Sequence, residues 1–308
     1  MLFRSFLDRP FCHGGGCAII SPLRYGEDNS EVCVESVKFN APVWIVVAPQ
    51  AGATAPAALA GALVQCVAEA IAGLLLVDMV APRHPVIVGP WPFVSDLRTG
   101  SFTGGSGEEA IISAAAAQVI NHYGLVSSVG AGMTDAKAPD AQAGFEKGIA
   151  VALAALTGCN NVSESAGMVG SLMGLSLESL VIDNDMLGQV MRAVRGIEVN
   201  DETLSLDVIR HAVHGEGHFL RESQTLDLMR SEYHYPDLSD RSTPAEWADA
   251  GARDIRQQAA EKVREILSTH YPSYIDAATD QRVRDHFPIR LAQELMVPGN
   301  PRWALGAD

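Results

Sequence analysis

Cysteine is sparse and unpatterned in this chain: Cys12, Cys17, Cys33, Cys66 and Cys159 are scattered through 308 residues with no C-x-x-C pair. That excludes a disulfide scaffold and a cysteine-rich zinc site, and it fits reduced thiols in a cytoplasmic protein. Positive charge is also short, with 22 Lys and Arg against 37 Asp and Glu, a formal charge of -15 and no basic block. Phosphate-backbone binding needs clustered Lys and Arg, so nucleic acid is excluded. The acidic balance favours a cationic ligand or a basic partner. Met1 to Phe11 carries Arg4, Asp8 and Arg9 and lacks the apolar run of a signal peptide. The most apolar window, Ala68 to Ala81, contains Glu69 and Asp78 and reads as too short to span a bilayer, so no membrane attachment is expected.

The chain is 47% hydrophobic, enough for one large α/β domain with an appendage. Apolar runs bounded by Gly or Pro alternate with alanine-rich amphipathic stretches. Strands are expected at Cys17 to Leu23, Val43 to Ala48, Pro85 to Val88, Leu125 to Val129 and Asn160 to Ser163, with a sixth near Gly217 to Leu220. The intervening helices are Asp28 to Phe39, about Pro56 to Gly73, Glu108 to Tyr123, Asp140 to Leu156 and Leu177 to Arg195. Strand–helix alternation implies a parallel sheet, doubly wound or closed as a barrel. No Gly-x-Gly-x-x-Gly turn is present, which leans towards the barrel. The domain reading is 1–222 for the α/β part and 223–308 for a C-terminal helical extension. In that extension Thr243-Pro-Ala-Glu246 forms a capping box, a charged helix runs from Trp247 to Leu267, and Pro298 to Asp308 is frayed.

Polar groups concentrate where strands end. The stretch 134–148 sets Asp135, Lys137, Asp140, Gln142 and Glu146 between an apolar strand and an alanine-rich helix, the place where α/β proteins build reactive surfaces. Asp140 reads equally as a helix cap and as a ligand group. Asp135 and Lys137 would pair if partly buried, since an isolated charge there is costly. Asn161 and Ser163 share one strand face, and Glu164 just beyond could hold a positive charge. Gln50 and Thr54 flank the loop after the second strand, Thr54 as a helix cap. Trp91, Phe93, Asp96 and Phe102 mix aromatics with a carboxylate, and an aromatic face attracts a quaternary ammonium by about 0.5–2 kcal/mol. Core packing is the alternative for each ring. The cluster His211, His214 and His218 lacks the order and spacing of a zinc helix, so no metal is assigned.

The stretch Thr134-Asp-Ala-Lys-Ala-Pro-Asp-Ala-Gln-Ala-Gly-Phe-Glu-Lys-Gly148 resembles the trimethylamine methyltransferase (MttB) family. Asn160-Asn-Val-Ser-Glu-Ser-Ala-Gly-Met168 and Arg195-Gly-Ile-Glu-Val-Asn-Asp-Glu-Thr203 carry the same resemblance, which runs from about Pro10 to Leu291. It implies a (β/α)8 TIM barrel and a methyl transfer from a methylated amine to the Co(I) of a corrinoid (cobalamin), presented by a separate corrinoid protein. It also implies a homo-oligomer. The founding members place pyrrolysine within Val129 to Thr134, most closely at Met133. Its absence shifts the expected substrate to a quaternary amine such as a betaine, choline or a carnitine-like compound. On this reading Asp135, Lys137, Glu164 and Met133 are the catalytic positions. Gln50, Phe93, Phe102, Asp140, Gln142, Asn161 and His218 contact the substrate, and Lys137 or loop N–H groups hold a substrate carboxylate.

A closed barrel needs eight strand–helix units over about 250 residues. The pattern here supplies five or six, so an amino-terminally shortened member with an incomplete barrel is expected. Two other readings stand beside it. The chain could be a catalytically silent remnant or one subunit of a split enzyme, or a barrel lyase using Lys137 as a Schiff base or the histidines as metal ligands.

Overall fold

The computed structural model describes residues 6–297, so the reading of Pro298 to Asp308 as frayed lies outside the described residues. The chain divides into two compact units, Met1–Asp237 and Leu238–Asp308.

The first strand described in the first unit is β1 (Gly14–Gly16), followed by a small antiparallel hairpin of β2 (Ile19–Ile20) and β3 (Arg24–Tyr25). Helix α1 (Glu27–Lys38) leads to β4 (Val43–Val47) and β5 (Gln50–Ala51), then to α2 (Leu59–Val80). Next come β6 (Val86–Pro90), β7 (Phe93–Ser95), β8 (Phe102–Thr103) and α3 (Gly107–His122). Strand β9 (Val126–Gly130), α4 (Ala141–Leu156), β10 (Asn161–Ser163), a hairpin of β11 (Met168–Val169) and β12 (Gly174–Leu175), and α5 (Leu177–Val194) complete the alternation.

The main sheet has five parallel strands in the order β1-β4-β6-β9-β10, which is also their order along the chain. A doubly wound sheet reverses direction at a switch point, and this one never does. Right-handed crossovers that always step the same way place every helix on one face. Accordingly, α1 packs on α2, α2 on α3, α3 on α4 and α4 on α5. The architecture is α/β with a singly wound parallel sheet, compatible with a TIM-like fold.

Strand β4 shows why the sheet has two unlike faces. Val43, Ile45 and Val47 are fully buried towards the helices, beside Cys66, Ala70 and Val77 of α2 and Val88 of β6. Each such side chain contributes about 1.5–3 kcal/mol by leaving water. Trp44 and Val46 alternate onto the opposite face, which the helices leave uncovered. Under α4 the core is largely alanine (Ala110, Ala117, Ala131, Ala150, Ala154, with Val129), so α3 and α4 approach the sheet closely.

Several expectations require correction. The first strand is Gly14–Gly16, not Cys17 to Leu23. Gly15 has φ +112°, and a Cβ there would lie 2.4 Å from the Trp44 carbonyl oxygen, so only glycine lets this edge approach β4. The apolar residues that follow fold back as the β2–β3 hairpin. Helix α2 runs on past Gly73 to Val80, because at Gly73 the missing side chain admits Ile45, whose Cγ2 would be 2.5 Å from a Cβ. The resulting 22-residue helix is long and apolar enough to cross a membrane by length and composition, so its apolar window is not too short. Glu69 at its middle is nevertheless fully buried, accepting from Ser21 Oγ at 2.6 Å, Leu23 N–H at 2.9 Å and Gln65 Nε2 at 2.9 Å. Gly217 to Leu220 forms bends and turns rather than a sixth strand, just after α6 (Leu206–His214); α7 (Ser223–Leu228) follows.

In the second unit the capping box at Thr243 and Glu246 is present and opens α8 (Pro244–Asp249). The expected single helix is broken there. A second capping box, Asp254 with Gln257, starts α9 (Ile255–Thr269), and α10 (Ala277–His286) follows.

Candidate active site

Strand β9 stops at Gly130, and residues 131–140 carry the chain from the sheet to α4. Asp140 caps that helix, accepting the Ala143 N–H at 3.2 Å, which is its structural reading made concrete. The cap fixes the helix start and thereby turns Glu146 back towards the loop. The Glu146 carboxylate is buried and well supplied with donors. Thr134 Oγ1 donates to Oε2 at 2.5 Å, the Asp135 N–H donates to the same oxygen at 2.8 Å, and Gln142 Nε2 donates to Oε1 at 2.9 Å.

Asp135 is oriented by two other segments. Its Oδ1 accepts the Gly104 N–H at 2.8 Å and the Ser171 hydroxyl at 2.5 Å. Its Oδ2 makes no hydrogen bond among the described residues. The β11–β12 turn is itself tied to the loop after β9, with Ser171 N–H bonding Thr134 O at 2.8 Å and Gly170 N–H bonding Ala136 O at 2.7 Å. Asp135 and Glu146 both line a cavity of about 610 Å³ at the carboxyl end of the sheet. Asp96 and Arg98 from the β7–β8 turn line it too, as do Ser106 and Glu108 at the start of α3. At Gly105 a Cβ would stand 2.2 Å from Glu146 Oε2, so the wall is closed against that carboxylate.

Two further carboxylates have environments unlike each other. Arg98 grips Asp96 through its backbone N–H at 2.8 Å, Nε at 3.0 Å and Nη2 at 2.7 Å, which lowers the Asp96 carboxyl to about 2. Glu109, fully buried on α3, receives the Ser113 hydroxyl at 2.9 Å on Oε1, and Oε2 has no partner among the described residues. Burial pushes its carboxyl up to about 8, the Ser113 bond pulls the other way, and the charge of Asp135 adds a smaller rise. At neutral pH Glu109 therefore carries a proton.

A row of rings runs from Trp44 on the uncovered face of the main sheet to Phe93 and Phe102 of the separate β5-β7-β8 sheet. His13 meets Trp44 at 5.1 Å, Trp44 meets Trp91 at 5.7 Å, Trp91 meets Phe93 at 6.3 Å and Phe93 meets Phe102 at 4.8 Å, all edge to face. Beside them Asn161 Nδ2 donates to Ser128 Oγ at 3.0 Å and Ser163 Oγ at 3.1 Å, so Asn161 and Ser163 do share one strand face. Gly104 joins the two regions. Its N–H bonds Asp135, while a Cβ on it would lie 3.6 Å from Phe102 Cε1 and 2.8 Å from Met133 Cβ.

Of the residues singled out in the sequence, Asp135 lines the cavity, with Glu146 from the same motif. Gln142 stands behind Glu146, and Gln50 Nε2 donates at 2.7 Å to Ser95 Oγ in the cavity wall. Met133 is fully buried against Gly104. Lys137 does not pair with a carboxylate. Its ammonium bonds the Asp135 carbonyl oxygen at 2.5 Å and lies exposed, because the Asp135 carboxylate is turned inward to Gly104 and Ser171. Thr54 caps no helix: α2 starts five residues beyond it, and its hydroxyl accepts the Gln50 N–H at 2.9 Å. Glu164 has φ +57°, a conformation non-glycine residues seldom adopt, and lies on the loop after β10 away from the cavity lining. His218 is exposed against Glu216 at 3.1 Å, and His211 bonds Glu222 at 2.8 Å instead of joining it. Sequence reasoning missed Arg98, Glu109 and Ser171. The Asp96-x-Arg98 spacing is a recognisable turn signal, whereas nothing local marks the other two.

A singly wound parallel α/β sheet, with acidic and amide groups gathered on the loops at its carboxyl ends, is the architecture of an enzyme-type α/β domain. The chain belongs to the trimethylamine methyltransferase (MTTB) family, whose model matches residues 5–294. It is 38% identical over 258 residues to trimethylamine methyltransferase MttB of Methanosarcina thermophila, which covers 83% of this chain and 53% of that protein. It is 34% identical over 265 residues to the glycine betaine methyltransferase of Desulfitobacterium hafniense (strain Y51), 86% of this chain and 55% of that protein. The chain thus spans about half the length of the curated relatives it matches.

Proposed function

We propose that this chain belongs to a methyltransferase that takes a methyl group from a methylated, quaternary amine and passes it to the Co(I) of a corrinoid carried by a separate protein. In this reading the five-stranded sheet is an arc of a (β/α)8 barrel. Family membership supports methyl transfer as the activity. One structural observation carries the substrate assignment: Asp135 is fixed through Oδ1 by two donors while Oδ2 remains free on a cavity that Glu146 also lines.

A quaternary ammonium has no N–H, so it offers no hydrogen bond. It is held by charge and by the polarisable faces of rings. Pre-oriented Asp135 supplies the charge without paying to order its side chain on binding. Phe102, across Gly104 from Asp135, supplies the nearest ring of the aromatic row. The corrinoid is the methyl acceptor, a second substrate that brings the nucleophile. Displacement leaves the C–N electron pair on nitrogen, so a quaternary amine departs neutral and needs no acid. The residues therefore have one task, to fix the C–N bond in line with the acceptor in a water-poor space. Lys137 is outside the cavity lining, which gives the Schiff-base alternative no support.

Incubation with cob(I)alamin and a panel of trimethylated amines, followed by the methylcobalamin absorption spectrum, tests the reading. Asp135→Asn should lower kcat/KM by about 10-fold or more, since a charge-assisted contact is worth about 1.5–3 kcal/mol. No methyl transfer from any candidate, in the chain joined by whatever completes the relatives' length, refutes it.

A further inference from the structure

Hairpins of the same design stand at two places between a strand of the main sheet and the helix that follows it. β2–β3 joins β1 to α1, and β11–β12 joins β10 to α5. In each, the turn carries a serine whose hydroxyl reaches a carboxylate on another segment. Ser21 donates to Glu69 Oε2 at 2.6 Å, and Ser171 donates to Asp135 Oδ1 at 2.5 Å. The two carboxylates end differently. Both oxygens of Glu69 are bonded, Oε1 accepting from the Leu23 N–H and from Gln65, and the residue is fully buried. Asp135 keeps Oδ2 without a hydrogen bond among the described residues, and it lines the cavity. The contact that completes a buried group in the first hairpin sets the direction of a cavity-facing one in the second.

The second hairpin is held at both ends. At its base the Gly167 N–H donates to Asp183 Oδ2 at 2.7 Å, and the same oxygen takes the buried Lys147 ammonium at 2.5 Å. Lys147 follows Glu146 on α4. Neighbouring residues of one helix thus fix the hairpin base and, through Glu146, the Asp135 N–H. At the tip the Ser171 and Gly170 N–H groups bond Thr134 O and Ala136 O, on either side of Asp135. This grip uses left-handed backbone at three successive positions, with φ +60° at Gly170, +56° at Ser171 and +70° at Leu172. Serine and leucine disfavour that region, so the turn holds strain that its bonds to the Asp135 loop offset.

Resting on the methyltransferase reading, we infer that Ser171 is a positioning residue for methyl transfer, its hydroxyl occupying Asp135 Oδ1 so that Oδ2 is presented to the cationic nitrogen. Ser171 itself lies outside the cavity lining. Without the hydroxyl, the Asp135 carboxylate loses one of the two donors on Oδ1 and keeps the Gly104 N–H. It is then free to turn about its last torsion. Binding has to order it again, which weakens the hold on a cation without removing the charge.

Calorimetric titration with tetramethylammonium, a cation with no other group to recognise, is run beside urea unfolding and the methyl-transfer assay. Ser171→Ala and Ser171→Gly both lack the hydroxyl. Each should weaken binding by about 3- to 10-fold and raise KM for the amine by the same factor, with kcat nearly unchanged. The two should part in stability. Glycine relieves the left-handed strain that alanine keeps, so its folding equilibrium constant should exceed that of the alanine variant by about 5-fold. Ser171→Thr restores the hydroxyl on a β-branched residue, which tolerates φ +56° poorly. It should bind within about 2-fold of wild type while unfolding at lower urea. Affinity then follows the hydroxyl and stability follows the backbone. A merely structural serine would make affinity follow stability, with glycine recovering what alanine loses, and that result overturns the inference. An alanine variant that binds like wild type overturns it too. In both of those cases wild type still transfers methyl groups, and the methyltransferase reading stands. A wild type that neither binds tetramethylammonium nor demethylates any trimethylated amine refutes both.

Discussion

Replacing Glu109 by glutamine removes a buried group whose charge state differs between the folded and unfolded chain. Its carboxyl ordinarily titrates at 4.5 and is pushed up to about 8 in the fold, chiefly by burial. Between those values the folded protein holds a proton that the unfolded chain has released, so stability falls as pH rises. The contribution is fully present below about 4.5 and is lost as pH climbs through about 8, at roughly 1.4 kcal/mol per pH unit. That amounts to about 3 kcal/mol by pH 7 and about 4–5 kcal/mol by pH 9. Glutamine keeps the shape and the acceptor for Ser113 but never ionises. Its amide nitrogen replaces an oxygen that already lacks a partner, a cost of about 1–3 kcal/mol that does not vary with pH. Urea unfolding of the two proteins between pH 5 and pH 8 isolates the effect, because every other titrating group cancels in the difference. The variant should gain about 3–4 kcal/mol on the wild type across that range. Parallel stability profiles would show that Glu109 is ionised in the fold, and the reasoning from its burial would be refuted.

Two other perturbations test the packing around the site. Lys147 and Asp183 form a fully buried pair at 2.5 Å between α4 and α5, with Ser179 and the Gly167 N–H completing Asp183. Asp183→Asn leaves the ammonium without its charge partner and should cost about 3–5 kcal/mol in urea unfolding; a loss below about 1 kcal/mol would contradict the pairing. Gly105→Ala places a methyl on the Glu146 carboxylate and should both destabilise the protein by about 1–3 kcal/mol and reduce affinity for trimethylated amines. Gly107→Ala, where a Cβ meets nothing within 4 Å, serves as the control and should leave both quantities unchanged.

Strand–helix alternation was legible because its signals are local. The strand runs Val43 to Val47 and Val126 to Gly130 and the helices with Asp140 and Thr243 at their starts are written in adjacent residues. The motif around Asp135 and Glu146 was likewise visible as a polar cluster after a strand. The first strand was misplaced because three glycines carry no hydrophobic pattern; their meaning lies in the approach of Trp44, which is distant in sequence. Helix α2 was cut short for a similar reason, since Gly73 looks like a stop until Ile45 is seen filling its place.

The sequence by itself determined the strand–helix alternation, the acidic balance, the family and the loop that carries Asp135. Periodicity, capping and motif wording act over a few residues, and these features need nothing more. Only the tertiary structure decided that the sheet is wound in one direction, that Lys137 points away while Arg98 faces the cavity, and that Ser171 fixes Asp135. It alone shows that Glu109 lies where a charge is costly. Those outcomes depend on contacts between residues far apart along the chain, where burial and hydrogen-bond competition, not local propensity, choose which polar group reaches which partner.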